Sequence, residues 1–132
     1  GAPVFDDYGH HPTEIKATYN AISNKTFNKS WVIFQPHTYS RTKNHLTDFA
    51  ESLKDFDNII LLDIYAAREK NTFNISSKDL SNELLNKFGK ESLYMPNFDE
   101  VVSYLKEHVE SDDLVLTLGA GTVTEISKLL TK

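Results

Sequence analysis

Trp31-Val32-Ile33-Phe34, followed at once by Gln35-Pro36-His37-Thr38-Tyr39-Ser40-Arg41-Thr42-Lys43, sets the reading of this chain. The opening run is apolar without alternation, and its residues are β-branched or aromatic. A strand buried on both faces has that composition, and parallel sheets bury both faces. Ile59-Ile60-Leu61-Leu62 and Leu114-Val115-Leu116 repeat the signature, with Val4-Phe5 and a weak Leu93-Tyr94-Met95 as shorter candidates.

Helical patterns lie between these runs. Ile15, Tyr19 and Ile22 recur at helical spacing behind Pro12, which suits a first helical turn. Leu46, Phe49, Ala50, Leu53 and Phe56 form one apolar stripe. Leu80, Leu84 and Phe88 form another, with Ser76 and Asp79 at capping-box spacing and Gly89 as a stop. Phe98, Val101, Val102, Leu105 and Val109 follow Asn97, which has Glu100 three residues on. Val123, Ile126 and Leu130 follow Thr122, with Glu125 completing a capping box. The order βαβαβαβαβα predicts a Rossmann-like α/β fold, an open, mainly parallel sheet with helices on both faces, as a single domain over residues 1–132. Ligands of such sheets sit at the carboxyl ends of the strands. Chemistry is therefore expected in residues 6–13, 35–42, 63–72, 96–97 and 119–122.

Composition narrows the function classes. In 132 residues, 14 Lys and Arg stand against 19 Asp and Glu, a formal net charge of -5. A nucleic-acid binder needs a basic footprint, so that class is disfavoured. No apolar run approaches the roughly 20 residues of a membrane span, and no secretory signal opens the chain. Cysteine is absent, which removes disulfides, thiolate nucleophiles and Cys-ligated zinc and fits a reducing cytoplasm. The chain opens Gly1-Ala2-Pro3 rather than with Met; the expectation is a processed chain or an excised piece, with Gly1-Ala2 as a cloning scar.

Four segments carry polar density at the expected edge. Asp6-Asp7-Tyr8-Gly9-His10-His11-Pro12 crowds carboxylates, a phenol and imidazoles into one strand-to-helix turn. It reads either as contact with a polar ligand or as a capped turn; adjacent histidines seldom face one ion, so no metal ligand is assigned. In the segment after Phe34, Arg41 and Lys43 at a helix start oppose the macrodipole, which points to anion recognition through the arginine fork. The alternative is a solvated arginine with Ser40 or Thr42 as N-cap. Asp63-Ile64-Tyr65-Ala66-Ala67-Arg68-Glu69-Lys70 offers either a ligand-shaping loop or an Arg68–Glu69 surface charge pair. Gly119-Ala120-Gly121 reads as a tight turn, because Thr124 stands where a dinucleotide fingerprint needs glycine. Gly89-Lys90 is not a P-loop, and neither a nucleophile elbow nor a zincin motif occurs. His45 and His108 read as surface or boundary residues; Trp31, Tyr94 and Tyr104 read as packing residues.

Asp6-Asp7-Tyr8-Gly9-His10-His11-Pro12-Thr13-Glu14-Ile15 and Phe34-Gln35-Pro36-His37-x-Tyr39-x-Arg41-Thr42 together resemble the C-terminal domain of the UDP-N-acetylmuramate–L-alanine ligase family, within the Mur ligases. Asp63 to Glu69 and Gly119-Ala120-Gly121 resemble its next two motifs in the same order. The resemblance runs from about Val4 onward. Gly-His-His and the second loop separate it from the related murein-peptide ligases, which usually carry Ala-His-His.

The resemblance implies the third, substrate-closing domain of a three-domain cytoplasmic ligase of peptidoglycan synthesis. That enzyme joins L-alanine to UDP-N-acetylmuramate with ATP and Mg2+, which the central domain mainly binds. The lactyl carboxylate is phosphorylated, and the alanine amine attacks the acyl phosphate. This chain lacks the first two domains, is expected to be inactive alone, and holds no catalytic residue of its own. Carried over by motif, His10, His37 and Arg41 bind the amino acid or the acyl-phosphate acceptor, and Asp7 and Tyr8 lie near the nucleotide. Two departures are Thr38, where the family commonly has Arg, and Thr122, where Asp or Asn is usual. The competing readings are a stand-alone α/β ligand-binding module and a small enzyme using Asp7 and His10 as an acid–base pair.

Overall fold

The computed structural model describes residues 4–7, 11–119 and 125–126, with the side chain of Asp7 left aside. In chain order the elements are β1 (Val4–Asp7), α1 (Pro12–Ser23), β2 (Ser30–Phe34), α2 (Tyr39–Asn44), α3 (Leu46–Leu53), β3 (Asn58–Leu61), α4 (Ser77–Phe88), β4 (Leu93–Tyr94), α5 (Phe98–His108) and β5 (Leu114–Leu118). The strands form one parallel sheet in the order β1-β5-β2-β3-β4.

The uninterrupted apolar runs are explained by what covers them. In β2, Val32 and Phe34 face a cluster that includes Ile15 of α1, Phe49 and Leu53 of α3, and Leu80 and Leu84 of α4. Trp31 and Ile33 face the opposite side, among Val101 and Leu105 of α5 and Ile126. Helices thus cover both faces, and all five residues of β2 are buried. Phe34 is fully inaccessible and packs its ring 5.4 Å from that of Phe49. Truncating such a ring to alanine costs about 3–5 kcal/mol.

The helix boundaries follow local chemistry. Pro12 opens α1, and the His11 ring accepts the Thr13 N–H at 3.3 Å. Ser76 and Asp79 form the reciprocal capping box of α4, and Gly89 closes that helix in the left-handed region at φ 64°. Asn97 accepts the N–H groups of both Asp99 and Glu100 at the start of α5.

Two expectations change. The apolar stripe from Leu46 does not extend the helix to Phe56, since α3 ends at Leu53; Phe56 is buried from the turn beyond it. The residues after β2 form the separate short helix α2, which His45 (φ -122°, ψ 26°) divides from α3. Its N-cap is Thr38, not Ser40 or Thr42, and the Thr38 hydroxyl accepts the Arg41 N–H at 3.3 Å. Arg41 and Lys43 therefore lie in the last turn of α2, where the macrodipole favours cations. The argument from an opposed dipole does not hold. Ala120 to Thr124, and the rest of the last helical pattern apart from Glu125 and Ile126, lie outside the described residues.

Candidate functional site

The loops after β2 and β3 are joined beyond the ends of their strands. The Leu62 N–H donates to Phe34 O at 3.0 Å, the Tyr65 N–H to Pro36 O at 2.8 Å, and the Thr38 N–H to Tyr65 O at 2.8 Å. His37 and Tyr65 form a parallel bridge, and their rings stack with centroids 5.5 Å apart and planes 23° from parallel. A rigid sheet thus carries its pairing into the segment where a ligand edge is expected.

On that platform Arg41 reaches back one helical turn. Its Nη1 lies 3.1 Å from His37 Nδ1. A guanidinium can only donate, so Nδ1 is the acceptor and the ring proton of neutral His37 is on Nε2. The bond orients the guanidinium without neutralising it, and among the described residues Arg41 forms no ion pair. A guanidinium oriented in this way suits a carboxylate or phosphate.

Glu69 takes part in the same construction. The Ser40 N–H and hydroxyl donate to its two carboxylate oxygens at 2.8 and 2.6 Å. The Ser40 hydroxyl, then the Ser40 N–H, holds this carboxyl below the usual glutamate range; burial opposes them, and the Tyr39 N–H and the Arg41 charge assist. The Arg68–Glu69 charge pair does not form, because the Glu69 carboxylate is turned onto α2. Thr38 stands at φ 66°, a strained angle for a threonine, and the Thr42 hydroxyl donates to its carbonyl at 2.7 Å.

The neighbouring strand ends are tied in as well. The Thr117 hydroxyl of β5 donates to the Asp6 carboxylate of β1, and the Tyr94 hydroxyl of β4 donates to Asp63 after β3. The bond to Asp63, with burial and the Asp63 charge, pushes the Tyr94 phenol up to about 12. Lys78 Nζ lies 5.5 Å from the centroid of the same ring. Tyr94 is thus part of the strand-end network and not only a packing residue.

Of the residues singled out from sequence, His37 and Arg41 are brought into contact. Asp7 is the last residue of β1, paired in register with Leu118. Tyr8 and His10 lie outside the described residues. Tyr65, Ser40, Glu69 and Tyr94 are additions that only the folded chain reveals, since each acts through a partner distant in sequence. A groove of about 680 Å³ lies elsewhere. It is lined by Trp31, Asn58 and Leu93 at the amino ends of β2, β3 and β4, opposite the Arg41 edge.

The family model described as "Mur ligase, glutamate ligase domain" matches residues 1–121. A UDP-N-acetylmuramate–L-alanine ligase of Caldanaerobacter subterraneus subsp. tengcongensis is 56% identical over 128 residues, covering 97% of this chain and 28% of the relative. One from Lachnoclostridium phytofermentans is 50% identical, covering 98% and 28%. The crystal structure of the UDP-N-acetylmuramate–alanine ligase of Thermotoga maritima superposes with a TM-score of 0.75 at 25% identity, over 97% of this chain and 25% of that one. The chain spans little more than a quarter of the length of these relatives. It belongs to the Mur ligase, glutamate ligase domain family, and over nearly its whole length it is similar to part of the UDP-N-acetylmuramate–L-alanine ligases.

Proposed function

We propose that this chain is the C-terminal domain of an ATP-dependent ligase that joins L-alanine to UDP-N-acetylmuramate in the cytoplasm. The observation that carries the reading is the Arg41–His37 pair, an oriented guanidinium without an ion-pair contact among the described residues, at the carboxyl edge of the sheet. Arg41 binds the carboxylate of the incoming alanine as a fork. His37 holds that fork in place through its Nδ1. By motif, His10 is assigned to the amino-acid site, and Asp7 and Tyr8 to nucleotide binding. Fixing the carboxylate leaves the amine as the end of the molecule directed to the acyl phosphate. It attacks the acyl carbon, the C–N bond forms, inorganic phosphate leaves, and the amine gives up a proton. The contribution of this domain is positioning.

ATP and Mg2+ belong to the rest of the protein. Among the described residues no group of three His, Asp or Glu could hold a metal ion.

The test uses the full-length chain with UDP-N-acetylmuramate, ATP and L-alanine, wild type against Arg41→Ala. The expected outcome is a rise in the alanine KM of about ten- to a hundredfold, the worth of a lost charge-assisted hydrogen bond. An unchanged alanine KM in a folded variant removes Arg41 from the site. A wild-type chain that ligates no alanine overturns the reading itself.

A further inference from the structure

We propose that Tyr65 is a positioning residue of the amino-acid site, whose ring fixes the plane of His37 and so aims the Arg41 guanidinium; the inference rests on the ligase reading above. Tyr65 follows the buried Ile64 in the loop after β3. It is 38% exposed and belongs to neither core cluster, so core packing does not account for an aromatic residue here. Its ring lies instead against that of His37, with centroids 5.5 Å apart and planes 23° from parallel. That is an offset-stacked geometry.

The backbone brings the two rings together. The Tyr65 N–H donates to Pro36 O, and Tyr65 O accepts the Thr38 N–H, both at 2.8 Å. Tyr65 is thus bonded to the residues on either side of His37, which is the pattern of a parallel ladder. The contact is built by main-chain groups that a change of side chain at position 65 leaves in place.

An imidazole turns broadly about its Cβ–Cγ bond, so its plane needs an outside constraint. The Nδ1 lone pair lies in that plane, and the plane therefore sets where a donor to Nδ1 must stand. Arg41 Nη1 stands there, 3.1 Å away. Stacking on Tyr65 fixes the plane, and the bond to Arg41 fixes which edge of the ring carries the acceptor. The donors of a guanidinium form a rigid fork, so a swing of the imidazole turns the other N–H groups of Arg41 away from a bound carboxylate. The Glu69 carboxylate feels the Arg41 charge, but its hydrogen bonds go to the start of α2, so it does not aim the fork.

The experiment uses the full-length ligase with Tyr65→Ala, Tyr65→Phe, His37→Ala and the double variant Tyr65→Ala/His37→Ala. It measures kcat and the KM for alanine, ATP and UDP-N-acetylmuramate. For Tyr65→Ala the alanine KM is expected to rise about three- to tenfold, the worth of an aromatic pair, with kcat and the other two KM values within about twofold. Tyr65→Phe keeps the stacking face and should hold the rise under about twofold. In the His37→Ala background Tyr65→Ala should add nothing, because a residue that acts through His37 has nothing left to aim. The same proteins labelled with 15N-histidine give a second reading at alkaline pH, where imidazole is neutral. The His37 signals, identified by their loss in His37→Ala, should report Nε2–H in the parent and move towards a tautomer average in Tyr65→Ala.

An alanine KM for Tyr65→Ala within about twofold of the parent overturns the proposal. So does a rise shared by all three substrates, which marks a general loss of structure. A multiplied rise in the double variant overturns it too, since Tyr65 would then touch substrate directly. A rise for Tyr65→Phe equal to that of Tyr65→Ala does the same, since the hydroxyl and not the stack would be responsible. A parent that ligates no alanine overturns the ligase reading, and the His37 signals then test the aiming of the ring separately. An unmoved tautomer in Tyr65→Ala overturns the proposal whether or not the parent is active.

Discussion

Ser40 gives both its backbone N–H and its hydroxyl to the Glu69 carboxylate, at 2.8 and 2.6 Å, across 29 positions of sequence. One acidic side chain from the loop after β3 therefore fixes the first turn of α2, the helix that carries Arg41. The loop after β3 buttresses the loop after β2.

Glu69→Gln should loosen that buttress, because an amide offers one accepting oxygen where the carboxylate offers two. In the full-length chain we expect the alanine KM to rise on the order of tenfold, with ATP binding little changed. The Glu69 carboxyl is held below its ordinary value of 4.5, so the buttress is complete above that pH and is lost as pH falls through the lowered value. A KM equal to that of the parent refutes the positioning role.

Asp113→Ala tests the opposite end of the sheet. This carboxylate, 1% exposed, accepts the Trp31 indole at 3.0 Å, the Glu110 N–H at 3.0 Å and the Lys29 N–H at 3.2 Å. Burial pushes its pKa up, but those bonds and the Lys29 charge outweigh it and leave the group below its usual value. Removing it orphans three donors and should cost about 2–4 kcal/mol in urea denaturation. Its stabilisation is present above the ordinary value of 3.8 and is lost as pH falls through the lowered one; the alanine variant should lack that part of the acid dependence.

Much of the fold was legible, and the reason is physical. Trp31 to Phe34 announces a doubly covered strand because neither face can tolerate a polar side chain. Ser76, Asp79 and Gly89 announce α4 because caps act within a few residues. The break at His45 was not legible, since Leu46 to Phe56 keeps helical spacing whether or not the helix is continuous. The site was legible in its loops but not in its bonds. Arg41 and His37 are four residues apart, on either side of the Thr38 N-cap, so their pairing is local even though His37 lies outside the helix. Ser40 with Glu69, and Tyr94 with Asp63, meet only because β2, β3 and β4 lie side by side, and no local pattern encodes that adjacency.

Tyr94 should ionise late. Its phenol proton is retained by the bond to Asp63, so the NMR shift of its ring carbons should titrate near 12 and not near the ordinary 10.0. A raised pKa means that the coupling stabilises the fold fully below pH 10 and fades as pH climbs from there towards 12. Asp63→Ala should return the titration to the ordinary range.

Gly89→Ala isolates a backbone cost. A Cβ at this position meets nothing within 4 Å, so the whole penalty comes from φ 64°. We expect a loss of about 1–2 kcal/mol in denaturant unfolding, with Gly89→Asn losing less because asparagine enters that region more readily. A larger loss for alanine would mean that the end of α4 is held by packing that the backbone angle does not explain.

The place of β1 in the sheet has a temporal meaning. Val4–Asp7 lies at the edge and pairs with β5 alone, Val4 opposite Val115, 111 positions later (115 minus 4). As the chain leaves a ribosome, β1 has no partner among the described residues until β5 has emerged. Asp6 meets Thr117 only then. Strands β2, β3 and β4 can assemble beforehand, and the closing of this long loop comes late and slowly. The β1 edge is thus the last part of the described sheet to exist, and a chain stalled before Leu114 has β2, β3 and β4 but neither the central strand β5, with its core residues, nor that edge.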